Sequence, residues 1–152
     1  MIERYEVAAF RYFERESHPV TGLVRDSSSS DSNASIAGSG MALTCYAVAA
    51  ERGYLKRDEA ARRTLLALRF LSGSGVNGFF YHFLEPETGK RAGRCEVSTI
   101  DSAILFAGAL VAAEYFDRDN EAERDIRALG VDLFLNADWE WASPRAPVIS
   151  HG

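Results

Sequence analysis

From Ala103 to Ala113 every residue is apolar or glycine. A helix with no polar side is either wrapped by other elements or lies in lipid. This run falls far short of the roughly 20 residues that span a bilayer, so it predicts a wrapped helix over about 99–116. Its polar neighbours gather at one end: Glu96, Ser98, Thr99, Asp101 and Ser102. A second helix of the same kind is predicted over 35–52, with no charge before Glu51 and with Gly53 as its stop. Its small residues, Ala37, Gly38, Ser39, Gly40 and Ala42, suit close contact with another helix. Three further segments, 1–17, 56–71 and 119–137, alternate apolar and charged residues at helical spacing. In the middle one, Ala60, Ala61, Leu65, Leu68 and Leu71 face in, and Arg57, Arg62 and Arg63 face out. The two uncharged helices are expected to be much more buried than these three.

Between the helices lie long connections. Residues 18–33 form a loop rich in Ser and Asp, whose tip is expected to be mobile because it has little apolar surface to bury. Residues 79–84 and 91–97 read as two short strands around Pro86-Glu-Thr-Gly89, which predicts a β-hairpin. The tail from Asp138 holds two prolines and shows no helical pattern.

The order repeats at an interval of about 64 residues. Ser35-Ile36 through Glu51 to Ala60 is similar to Thr99-Ile100 through Glu114 to Ala122, each a buried helix, a short turn and an amphipathic helix. Alternation of buried and amphipathic helices predicts an all-α fold, a partial (α/α)6 toroid of five helices with one small hairpin. The inner-to-outer turns are short. The long outer-to-inner connections all fall on the end where the inner helices begin, and loops over a rigid scaffold are where binding and catalysis concentrate.

Composition narrows the chemistry. The 152 residues are 47% hydrophobic and 26% charged, enough for an ordinary core, and the net charge of −5 offers no basic stripe for nucleic acid or an anionic membrane. The first residues lack the apolar core of a signal peptide, leaving the compartment unknown. Cys45 reads as a small core residue, and a Cys45–Cys95 bridge is neither required nor excluded by sequence. There is no phosphate loop, nucleophile elbow or metal-binding spacing, so neither a metal nor a cofactor is expected. Carboxylates and aromatic rings on one face suit carbohydrate, where rings stack on sugar faces and carboxylates supply acid and base. Asp101 and Glu96 are the catalytic candidates. Asp26, Tyr81, His82, Trp139 and Trp141 are the candidates for substrate binding.

Each has a plainer reading. Ser98-x-x-Asp101 fits a helix-capping box. His82 in an aromatic strand is by default a structural histidine, and Tyr81 can belong to the hairpin core. Trp139 and Trp141 can simply cover a helix end, and Asp26 can be a turn residue.

Several stretches, in order and spacing, carry a family resemblance over nearly the whole chain. They are Phe10-Arg-Tyr-Phe13 leading to Thr21-Gly-Leu-Val-Arg-Asp26, Ser35-Ile-Ala-Gly-Ser-Gly40, Gly78-Phe-Phe-Tyr-His-Phe83, Glu96-Val-Ser-Thr-Ile-Asp-Ser-Ala-Ile-Leu105 and Trp139-Glu-Trp141. In these the chain resembles the glycoamylase-like domain family, which includes bacterial endo-β-1,2-glucanases and the related domain of cyclic β-1,2-glucan synthases. The resemblance implies an (α/α)6 barrel and metal-free hydrolysis or transfer of β-glucan, with acidic pocket residues at Asp26, Glu96 and Asp101. It also implies a periplasmic or membrane-associated bacterial context for a full-length protein. The chain departs from the family in having Asp26-Ser27 where Asp-Arg is usual. Such domains run to several hundred residues, so residues 1–152 are expected to be the N-terminal part of one barrel domain. A half-ring would expose apolar flanks that favour self-association. The competing expectation is a helical-repeat module that binds glycan or protein without chemistry.

Overall fold

The computed structural model describes residues 2–151, with side chains from Arg4 onward. Helix α1 spans Ile2–Glu16, α2 Ile36–Glu51, α3 Arg57–Leu71, α4 Thr99–Tyr115 and α5 Glu121–Leu135. All five lie within a residue or two of the expected bounds. A short α6, Trp139–Ala142, occupies the tail where no helix was expected. Asp138 starts it by accepting a hydrogen bond from the Trp141 amide at 2.9 Å, a local cap that needs no apolar periodicity.

The helices form two rows. Inner helices α2 and α4 pack on each other more extensively than any other pair, while α3 packs on α2 and α5, and α5 on α4. At the α2–α4 crossing Gly40 meets Gly108 backbone to backbone. A Cβ on Gly108 would stand 2.0 Å from the Gly40 carbonyl oxygen, and one on Gly40 would stand 2.4 Å from Leu105 Cα. Only glycine allows that approach.

The expected contrast in burial holds for two of the outer helices and fails for the third. Helix α5 buries Glu123, Ile126, Gly130 and Leu133, and in α1 Phe10 is buried. But α3 buries Ala60, Ala61, Thr64, Leu65, Ala67, Leu68 and Leu71, almost matching the inner helices. It is covered by α2, by α5 and by the chain at Gly22, whose missing side chain lets it rest on the Ala67 backbone. Conversely the inner helices leave apolar side chains in solvent, Met41 and Val48 on α2 and Ile100, Leu110 and Val111 on α4.

Arg57 also departs from expectation. It points inward, its guanidinium bound to the buried Glu123 (Nε to Oε1 3.0 Å, a terminal nitrogen to Oε2 2.7 Å) and to the Tyr115 carbonyl at 2.9 Å. The Arg118 amide donates to the same carboxylate at 2.9 Å, so the charge is fully hydrogen-bonded. Hydrogen bonds from Arg57 hold the Glu123 carboxyl at about 2.

The expected hairpin forms, and the segment before α2 joins it, giving two small antiparallel sheets. Strand β1, Ala34–Ser35, pairs with β3, Phe83–Leu84; β2, Phe80–Tyr81, pairs with β4, Val97–Ser98. The arms of the expected hairpin stay joined by the β2–β4 pair, the Leu84–Arg91 bridge and the Ala92 amide, which donates to the Phe83 carbonyl at 3.0 Å. Strand β1 pairs with β3 in addition. Each strand before an inner helix ends in that helix's cap, Ser35 for α2 and Ser98 for α4. The two caps match in detail. Ser39 Oγ donates to the Ser35 carbonyl and accepts from the Val24 amide, and Ser102 Oγ donates to the Ser98 carbonyl and accepts from the Phe80 amide. The repeat is therefore in register at Ser35 and Ser98, one residue from the Ser35–Thr99 alignment. Both cysteines are free, and among the described residues no helix is long and apolar enough to cross a membrane.

Candidate functional site

The strands meet at the N-terminal ends of α2 and α4, and His82 sits between β2 and β3 at that junction. Its amide donates to the Glu96 carbonyl at 3.0 Å, and its carbonyl accepts from the Ile36 amide at 3.2 Å. One backbone unit therefore ties the first turn of α2 to the strand leading into α4. The imidazole stacks on the Phe83 ring, with centroids 4.0 Å apart and planes 14° apart.

This ring stands between the two candidate carboxylates. Its Nδ1 is 3.0 Å from Glu96 Oε1, and its Nε2 is 3.8 Å from Asp101 Oδ1. Asp101 lies in the first turn of α4 and is 9% exposed. The Ser98 hydroxyl donates to its other oxygen, Oδ2, while the Asp101 amide donates to Ser98 Oγ at 3.2 Å. Ser98 is thus the helix cap, as the plainer reading required. The Asp101 carboxylate, however, accepts the cap's hydroxyl and keeps Oδ1 toward His82. The first repeat has Gly38 at the matching place, so the acid is a feature of the second repeat alone.

Glu96 is half-exposed. Its carboxyl is held below the ordinary glutamate value first by its own backbone amide, then by the hydrogen bond from His82, with His151 adding a smaller electrostatic pull. A carboxylate held in its charged form suits a base or a hydroxyl acceptor better than a proton donor. The tail brings His151 here: its carbonyl accepts from the Thr99 amide at 3.3 Å, and the Ser150 carbonyl accepts from Thr99 Oγ1 at 2.6 Å. Sequence reasoning missed this contact, because nothing local links His151 to a glutamate so far up the chain.

The remaining candidates make contacts of their own. Tyr81 takes the Arg91 guanidinium over its ring, 4.8 Å from the centroid. Asp26 is exposed next to β1, its amide donating to the Asn33 carbonyl at 2.9 Å, and its charge helps raise the Tyr12 phenol after burial and Glu16. The loop beyond it closes on its own hydrogen bonds, Ser27 amide to Ser32 Oγ and Ser32 amide to the Ser29 carbonyl. Trp139 packs edge-on against Phe79 with centroids 5.2 Å apart, and Trp141 lies 5.8 Å from the same ring. Trp139 meets Phe106 of α4 and Phe134 of α5 too, with centroids 6.2 Å away in each case. Trp139 also lines a cleft of ≈ 330 Å³ with Thr99, Ile100 and His151, next to the carboxylate cluster in sequence. Among the described residues no group of three or more His, Cys, Asp or Glu side chains is arranged to hold a metal ion.

Alternating inner and outer helices, with the loops and several acidic residues gathered where the inner helices begin, define the class: a partial α/α toroid. Comparison with known proteins makes this specific. The chain is 28% identical over 148 residues to an exo-β-1,2-glucooligosaccharide sophorohydrolase from Parabacteroides distasonis, an alignment covering 93% of this chain and 20% of that protein. Its fold matches the crystal structure of a β-1,2-glucanase from the same organism with a TM-score of 0.91 at 26% identity, over 98% of this chain and 23% of that one. A Bacteroides uniformis protein provisionally described as a glucoamylase matches with a TM-score of 0.88 at 32% identity, over 95% of this chain and 37% of its own. No protein-family model matches the chain. It therefore spans about a fifth of the length of the curated relative.

Proposed function

We propose that this chain carries part of the sugar-binding and acid/base apparatus of a β-glucan-active glycoside hydrolase or transglycosylase, with β-1,2-linked glucan as the favoured substrate. The observation that carries the proposal is the Glu96–His82–Asp101 cluster at the start of an inner helix, in a fold shared with β-1,2-glucanases. In this reading residues 1–152 are one part of a single α/α barrel domain. Asp101 and Glu96 act from one side of the sugar. Asp26, Tyr81, His82, Trp139 and Trp141 border the path by which the glycan arrives.

Glycosidic cleavage needs carboxyl groups on both sides of the bond, about 5–5.5 Å apart for retention or 6.5–9.5 Å for inversion. The His82 ring fills the space between Glu96 and Asp101, so no sugar fits between these two. The opposing carboxylate must come from elsewhere in the barrel. The test is release of reducing ends from β-1,2-gluco-oligosaccharides by the full-length protein, with β-1,3- and β-1,4-linked oligomers as controls. Asp101→Asn is expected to lower the rate roughly 100-fold or more. No release from any β-glucan by the wild-type protein, or full activity in Asp101→Asn, would overturn the proposal.

A further inference from the structure

Asp101 is not held as the acid of a capping box is held. In that motif the acid reaches back to the amide of the cap residue. Here Ser98 belongs to β4, where it pairs with Phe80, and the Asp101 carboxylate takes the Ser98 hydroxyl at Oδ2 instead. The same Oγ accepts from the Asp101 amide at 3.2 Å, so one hydroxyl grips both the backbone and the carboxylate of this residue. That hydroxyl stands on a fixed frame. Ser98 is fully buried, its carbonyl accepts from Ser102 Oγ at 2.6 Å, and Ser102 Oγ accepts from the Phe80 amide at 2.9 Å. Asp101 Oδ1 is left 3.8 Å from His82 Nε2, beyond hydrogen-bond distance. The first repeat supplies the comparison. Ser35, Ser39 and Val24 build the same frame, and there the residue three on is Gly38, which offers an amide and no carboxylate. An inner helix starts on this frame without the acid, so the bond to Oδ2 is not a requirement of capping.

We propose that Ser98 is the positioning residue of Asp101: its hydroxyl fixes Oδ2 and so presents Oδ1 to the glycan, a task separate from starting α4. The proposal rests on the function proposed above for its kinetic meaning, but the geometry stands apart from it. Without the hydroxyl the carboxylate loses its bonded oxygen and turns about its side-chain torsions, so Oδ1 reaches its working position only part of the time. That loss falls on kcat. Ser98 is fully buried and touches no sugar, so KM is spared.

Ser98→Gly removes the hydroxyl but keeps α4 started, because glycine caps a helix nearly as well as serine. Ser35→Gly makes the same change on α2 and is the control. In the full-length protein acting on β-1,2-gluco-oligosaccharides, Ser98→Gly is expected to lower kcat roughly 10-fold with KM within about twofold. Ser35→Gly is expected to leave kcat within about twofold, while the two melting temperatures fall by similar amounts. In an Asp101→Asn background Ser98→Gly is expected to cost little further kcat, because it acts through that carboxylate. Unchanged kcat in Ser98→Gly, an equal loss in Ser35→Gly, or an equal loss in both Asp101 backgrounds overturns the proposal. Ser98→Ala gives the same readouts on a stiffer backbone. Crystal structures of the full-length wild type and of Ser98→Gly ask the question without substrate. Asp101 is expected to leave its wild-type rotamer or to spread over several, and an Asp101 side chain that stays in place overturns the proposal. If the wild type proves inactive on every glucan, the proposed function fails and the rotamer comparison still decides the positioning.

Discussion

Arg57 and Glu123 are the residues whose chemistry the structure states most fully. The Glu123 side chain is 2% exposed and takes donors from Arg57 and the Arg118 amide, so removing Arg57 leaves a buried charge without its main partner. Arg57→Ala is expected to destabilise the fold by roughly 3–5 kcal/mol, read as a shift in denaturant midpoint. The pH dependence follows in sign. Glu123 titrates at about 2 in the folded protein against 4.5 ordinarily, so its contribution is complete above about 4.5 and is lost as pH falls toward 2. Thermal melts from pH 5 down to 2 should show this decline in the wild type, and a shallower one in Glu123→Gln. A wild type and variant with parallel acid limbs would remove Glu123 as the cause.

At the scale of elements, the α2–α4 crossing and the two serine caps decide where the site stands. Gly108→Ala puts a methyl group within 2.0 Å of a backbone oxygen that cannot move aside as a side chain would. The helices must separate, at a cost of about 1–3 kcal/mol and with a shift of the α4 N-terminus that carries Asp101. Circular dichroism melts check the first part. The second would appear as changed His82 ring signals in a variant that still folds. Ser98→Ala removes a cap, expected to cost about 1 kcal/mol, and removes the hydroxyl on Asp101 Oδ2. The hairpin was only partly legible at this scale. Alternation in Phe79–Leu84 and Arg91–Val97 showed strands, but not that Ala34–Ser35 would pair with Phe83–Leu84. Two-residue strands have too little pattern to name a partner, and the choice is made when β1 and β3 are brought together by α2.

For the whole molecule, the exposed stripe on α4 is the feature to explain. Ile100, Ala107, Val111 and Glu114 follow one helical face, with Leu110 beside it, and Met41 and Val48 hold the same relation on α2. An apolar face of this kind favours association. Residues 1–152 alone are expected to sediment as a concentration-dependent mixture of monomer and larger species, and Val48→Lys with Val111→Lys to return them to monomer. A monomer at all concentrations would contradict this. On the function proposed above, with the opposing carboxylate supplied from elsewhere in the barrel, the same purified chain is expected to bind β-1,2-glucan weakly and to release no reducing ends. Release that Asp101→Asn abolishes would show a complete site within these residues.

The sequence by itself determined the five long helices, their order in two rows and the end of the molecule where the candidate residues Glu96, His82 and Asp101 gather. These follow from short-range facts: uncharged runs must be wrapped, caps start helices, and long connections mark one end. It also carried Glu96, His82 and Asp101 as candidates, because each stands at a strand or helix boundary. Only the tertiary structure decided that one imidazole lies between the two acids, that Arg57 turns inward to Glu123, that the tail carries His151 to Glu96, and that Trp139 and Trp141 pack against Phe79. Each is a contact between residues distant along the chain, and a polar side chain shows its partner only when packing brings the two together and excludes the water that would otherwise serve either one.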